Sequence, residues 1–133
     1  MTPELIVMGA SLGGLQAVER ILSALPHDFM VPVVIIQHRH KETDADMLVG
    51  LLRAYCPLPI EEVEDKQPIL AGHVYLAPSD YHLLVEKGAF ALSRDEPANY
   101  SRPSIDVLFE SAADAYGKRL VGVILTGANA DGA

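Results

Sequence analysis

The chain has 133 residues, half of them hydrophobic and 21% charged, which is one domain's worth of sequence with enough apolar material to close a core and excludes a disordered chain. Ten Lys and Arg against eighteen Asp and Glu leave a formal net charge of −8, a balance that repels phosphate backbones and argues against nucleic-acid binding. No apolar run approaches the roughly 20 residues of a membrane-spanning helix. No basic leader precedes Glu4 and the lone Cys56 cannot form an internal disulfide, so the expected setting is the cytoplasm, without membrane insertion.

Residues 5–9 (LIVMG) read as a short strand buried on both faces and end in Gly-Ala-Ser-Leu-Gly-Gly. Leu15, Val18, Leu22 and Leu25 then recur at helical spacing up to Pro26. Residues 31–36 (VPVVII) form the second all-apolar strand. Thr43 is placed to cap a helix over residues 44–55, which Pro57 stops. Residues 60–64 are a weaker strand and 73–77 (HVYLA) a stronger one. Residues 82–86 and 89–93 flank Lys87-Gly88 as a hairpin, and 95–101 read as loop. From Ser104 to Tyr116 the residues Ile105, Leu108, Phe109, Ala112, Ala113 and Tyr116 make one helical stripe ending at Gly117. Residues 120–125 (LVGVIL) close the series as another fully apolar strand, followed by Thr-Gly-Ala-Asn-Ala-Asp-Gly-Ala.

Fully apolar strands alternating with amphipathic helices imply an α/β fold, doubly wound, with a mostly parallel sheet, helices on both faces and the hairpin as an excursion. In such sheets ligands and chemistry collect beyond the carboxyl ends of the strands. Three of the strands end in reactive residues: Ser11 follows the first, Gln37-His38 the second, and Asn129 and Asp131 the last. None of these is local to another, so only the fold can bring them together.

Gly9-Ala10-Ser11-Leu12-Gly13 matches the G-x-S-x-G nucleophile elbow, in which small residues permit a tight strand-to-helix turn that presents the serine hydroxyl. A serine that merely caps the following helix is the competing reading. A dinucleotide or P-loop site fits less well. The Rossmann pattern wants glycine where Ser11 stands, no acidic residue ends the second strand, and no Gly-Lys-Ser/Thr follows. His38 is the best-placed general base of the five histidines and His40 the fallback, whereas His73 and His82 fall at strand beginnings and suit structural roles. His38-x-His40 lacks further ligands at supporting spacing, so no metal is expected. Asp131, in a small-residue loop after the last strand, is placed either to orient the histidine or simply to form an Asp-Gly turn. The order Ser…His…Asp differs from those of α/β-hydrolases, chymotrypsin and subtilisin.

Five stretches together carry a family resemblance: Gly9 to Gly14, Gln37-His38, Gly72 to Pro78, Ser101 to Phe109, and Val121 to Gly127 continuing through Asp131-Gly132-Ala133. In this order they cover essentially the whole chain, which resembles the catalytic domain of CheB, the bacterial chemotaxis protein-glutamate methylesterase and glutamine deamidase. The resemblance implies Ser11 as nucleophile, His38 as base and Asp131 as the third member of the triad. Backbone N–H groups of Leu12 and Ala128 would supply the oxyanion hole. It further implies glutamate γ-methyl esters on the cytoplasmic helices of methyl-accepting chemoreceptors as substrate, with no cofactor and no metal.

The chain departs from that family at several points. Leu12 stands where the family usually has threonine, Arg39-His40 where it has Met-Pro, and Gly127 to Gly132 reads Gly-Ala-Asn-Ala-Asp-Gly rather than Gly-Met-Gly-x-Asp-Gly. With Met1 close to the first strand and Ala133 where a helix should begin, the expectation is one catalytic domain over residues 1–133, without a receiver domain and incomplete at its C-terminus. An exposed sheet edge would then favour self-association. The alternative expectation is a catalytically impaired receptor-binding or scaffold homologue.

Overall fold

The apolar run after Glu4 lies inside a parallel sheet, where a strand must be apolar on both faces. A computed structural model describes residues 2–38, 45–94 and 103–125. Along them follow β1 (Leu5–Ala10), α1 (Leu15–Ala24), β2 (Val33–Gln37), α2 (Ala45–Tyr55), β3 (Ile60–Glu62), β4 (Val74–Leu76), β5 (His82–Glu86), β6 (Ala89–Ser93), α3 (Ile105–Tyr116) and β7 (Leu120–Leu125). The sheet order is β3-β4-β2-β1-β7 with every neighbouring pair parallel, and β5 and β6 form a separate antiparallel pair. The doubly wound α/β reading of the sequence therefore holds, hairpin included.

Strand alternation divides the interior in two. Leu5 and Val7 of β1 join Val34 and Ile36 of β2 in one core, with Ile105, Leu108 and Ala112 of α3 and Leu83, Val85 and Phe90 of the hairpin. Met8 and Ala10 join Val33 and Ile35 in the other, under Val18 and Leu22 of α1 and Leu48, Val49 and Leu52 of α2. Burying each of the larger side chains among these (Val, Leu, Ile, Met, Phe) contributes on the order of 1.5–3 kcal/mol, so both layers are held by their apolar stripes. The chain lays β2, β3 and β4 to one side of β1, then returns through α3 to lay β7 on the other. The ends of β1 and β7 consequently flank the point at which the winding changes direction.

The hairpin forms over the expected residues, and Gly88 at its turn takes φ 83°, a left-handed conformation that suits glycine. Ser111 of α3 fastens it, its Oγ accepting from Val85 N at 2.9 Å and donating to the Leu108 carbonyl at 3.0 Å. α3 begins at fully buried Ser104, whose Oγ accepts from Val107 N, and ends at Gly117, whose N–H bonds the Ala113 carbonyl.

One boundary shifts. β2 runs from Val33 to Gln37 instead of over residues 31–36, because Ile6 pairs with Val33 and Ala10 with Gln37. The exposed sheet edge anticipated from the sequence is β7 among the described residues, with Val121 and Ile124 exposed. No described helix is long and apolar enough to cross a membrane.

Candidate active site

Parallel strands present all their carboxyl ends on one rim, and the β1–β2 ladder continues one step past the strands. His38 N–H donates to the Ala10 carbonyl at 2.8 Å, which brings the backbones of Ser11 and His38 alongside one another. Adjacent strands lie about 4.8 Å apart, so the two residues predicted as nucleophile and base are neighbours. Ser11 is extended (φ −77°, ψ 177°) and buried at 8% exposure. That conformation continues the alternation of β1, which sets positions 9 and 11 on the α3 face of the sheet. On β2 the same alternation groups position 38 with Ile36, a member of the α3-side core.

Ser11 leads directly into a 3-10 turn, Leu12–Gly14, and its side chain makes no capping bond to that turn. The reading of Ser11 as a helix-capping serine is therefore not what the structure contains. Its carbonyl accepts from Gly14 N at 2.8 Å, closing the turn. The first N–H groups of such a turn lack acceptors within it, so the Leu12 amide is of the kind that can meet a developing oxyanion. Leu12 itself is exposed, its side chain lying outside both cores. Gly9, two residues before the serine, faces Ile105 so closely that only a hydrogen fits in place of a side chain.

Gln37 is the site residue to which sequence reasoning assigned no role. It is 7% exposed, and its Nε2 donates to the Ser11 carbonyl at 3.0 Å and to the His38 carbonyl at 2.8 Å. The signal in the sequence is a long polar side chain closing an otherwise apolar strand.

On the other side of β1, Ser11 N–H reaches the Leu125 carbonyl at 3.4 Å. Ala128, Asn129 and Asp131 come later in the sequence and, like His40, lie outside the described residues. His73 precedes β4 and bonds its own loop at the Ala71 carbonyl, whereas His82 opens β5 and is buried. Neither stands at the end of a sheet strand. Among the described residues no three His, Cys, Asp or Glu side chains gather in a way that could hold a metal ion. The recess lined by Glu4, Lys87, Ala115, Tyr116 and Arg119 is at the opposite, amino-terminal rim, where Arg119 pairs with Glu4.

The chain is similar to known proteins over nearly its whole length. The family model described as CheB methylesterase matches residues 6–133. A protein of Leptospira interrogans named as a protein-glutamate methylesterase/protein-glutamine glutaminase is 49% identical over all of this chain and 69% of its own length. Protein-glutamate methylesterase/protein-glutamine glutaminase 4 of Myxococcus xanthus is 44% identical over 98% of this chain, which spans 37% of that protein. The crystal structure of the Thermotoga maritima CheB methylesterase catalytic domain superposes with a TM-score of 0.89 at 32% identity, covering 99% of this chain and 71% of that one.

Proposed function

This chain belongs to the CheB methylesterase family, and from that premise we propose that it carries the core of a serine hydrolase acting on glutamate γ-methyl esters of chemoreceptors. The observation that carries the reading is the His38 N–H to Ala10 carbonyl bond, which sets a serine and a histidine side by side at the end of adjacent strands.

In this reading Ser11 Oγ attacks the ester carbonyl carbon while its proton passes to His38. Negative charge on the former carbonyl oxygen is met by the N–H groups of Leu12 and Ala128. The tetrahedral species collapses as the histidine returns the proton to the departing methoxy oxygen, releasing methanol and leaving an acyl-serine. Water, deprotonated by the same imidazole, then splits the acyl-enzyme to a free glutamate and regenerates the serine. A glutamine side chain would follow the same route with ammonia as leaving group. Asp131 would fix the imidazole tautomer and stabilise its cationic form. None of these steps calls for a metal or an organic cofactor, and the partner surface is the cytoplasmic helical region of the receptor.

Methanol release from methylated receptor membranes tests this directly. Wild type should release methanol and label with a fluorophosphonate, and Ser11→Ala should abolish labelling and lower turnover by on the order of 10⁴-fold or more. Receptor binding without methanol release, unaltered in Ser11→Ala, would instead identify a scaffold.

A further inference from the structure

The amide of Gln37 joins two carbonyls that are distant in sequence and adjacent in space: that of Ser11 at 3.0 Å and that of His38 at 2.8 Å. A primary amide has two N–H donors on one nitrogen, so a single group can satisfy both acceptors. The orientation follows from chemistry, because a flipped amide would set its oxygen against two carbonyl oxygens. The side chain is more than nine-tenths buried, and its Oε1 has no hydrogen-bond partner among the described residues. A buried acceptor left unmatched is destabilising. An apolar residue of similar length would avoid that cost, so filling space does not account for a glutamine here.

We propose that Gln37 is a positioning residue for the serine–histidine pair, its amide tying the backbone of the nucleophile to that of the base. This rests on the hydrolase reading above and deepens it. The tie acts on peptide planes. The Ser11 carbonyl belongs to the same peptide unit as the Leu12 N–H, so holding that carbonyl also aims the amide assigned to the oxyanion. The His38 carbonyl is held at the point where the chain leaves β2, which fixes the backbone from which the imidazole projects. Gln37 thus acts on attack, proton transfer and oxyanion binding together without touching substrate.

The test uses Gln37→Met, which keeps length and loses both donors, and Gln37→Glu, which presents acceptors to the two carbonyls. Fluorophosphonate labelling of Ser11 is followed in time, so that the rate constant per reactive serine is separated from the labelled fraction. In both variants the rate constant and kcat should fall about 10- to 100-fold, the range expected of a small misplacement of reacting groups. KM and the labelled fraction should stay within about twofold, because no substrate contact is removed. A smaller labelled fraction with an unchanged rate constant would mean a purely structural residue and would overturn the proposal. Hydrogen exchange of the Gln37 side-chain amide, followed by NMR in the wild type, is a second measurement that does not depend on variant folding. Slow exchange is expected, and exchange as fast as that of a solvent-exposed glutamine would also overturn it. A wild type that neither labels nor releases methanol sinks the hydrolase reading and this role with it. A reactive wild type with unaltered variants sinks this role alone.

Discussion

A Cβ placed on Gly9 would lie 2.5 Å from Cγ2 of Ile105 and 2.8 Å from both its Cγ1 and Cδ1. The end of β1 and the start of α3 therefore touch with no room for a methyl group, two residues before the candidate nucleophile. Gly9→Ala should destabilise the fold by about 1–3 kcal/mol through overpacking, and should displace Ser11 enough to slow its labelling. Denaturant unfolding of Gly9→Ala, Ile105→Ala and the double variant checks the cause. The double variant should be more stable than the sum of the single losses, with a coupling of roughly 0.5–3 kcal/mol for groups in direct contact.

Tyr75 is fully buried, with Phe90 edge-on at 4.9 Å between ring centroids, and its hydroxyl accepts from Leu70 N at 2.8 Å and donates to the Pro68 carbonyl at 3.3 Å. Tyr75→Phe should cost about 1–3 kcal/mol, because a backbone donor and acceptor lose their partner.

Burial pushes the Tyr75 phenol above its ordinary value, the Leu70 N–H opposing and the Glu61 charge adding to the rise. A raised folded-state value means that the neutral form is favoured by folding. That contribution is complete below the unfolded value of about 10 and is lost as pH rises through the folded one. Alkaline unfolding curves of wild type and Tyr75→Phe should accordingly converge as pH climbs past that range, and a gap that widens instead would contradict the assignment.

Ser111 links α3 to the edge of β5 through its hydroxyl, so Ser111→Ala should leave Val85 N–H without its acceptor. A loss of about 1 kcal/mol is expected, together with faster amide exchange at Val85 than at Phe90, whose N–H is held by the Gln67 carbonyl.

Cys56 follows α2 and is partly buried; burial raises its thiol above the ordinary range, and a backbone hydrogen bond at Leu58 offsets part of the rise. Alkylation by iodoacetamide should reach half its maximal rate above the usual thiol value of about 8.5. Urea at unfolding concentrations should bring the midpoint back to that value.

Much of this architecture can be read from runs of residues. The hairpin and the last strand fall over the expected spans, because Lys87-Gly88 marks a turn and LVGVIL is uninterrupted. Ser11 and His38 stand out for a related reason, as polar residues that end buried strands. Which residues of β7 are exposed, Val121 and Ile124, could not be read that way: composition reports what a strand is suited to touch, and only the sheet order reports what lies beside it. The role of Gln37 escaped for the same reason, since its acceptor at Ser11 is 26 positions away. The register that lengthens β2 to include Gln37 depends on β1 and is written in neither strand alone.

The pairing of Ala10 with Gln37 also has a bearing on durability. Were the two strands to slide by a single position, one member of the Ser11–His38 pair would swing to the far side of the layer. The candidate pair therefore inherits its backbone alignment from the packing beneath it. Heat inactivation should then track loss of the whole sheet, without an earlier phase in which the centre loosens on an intact scaffold.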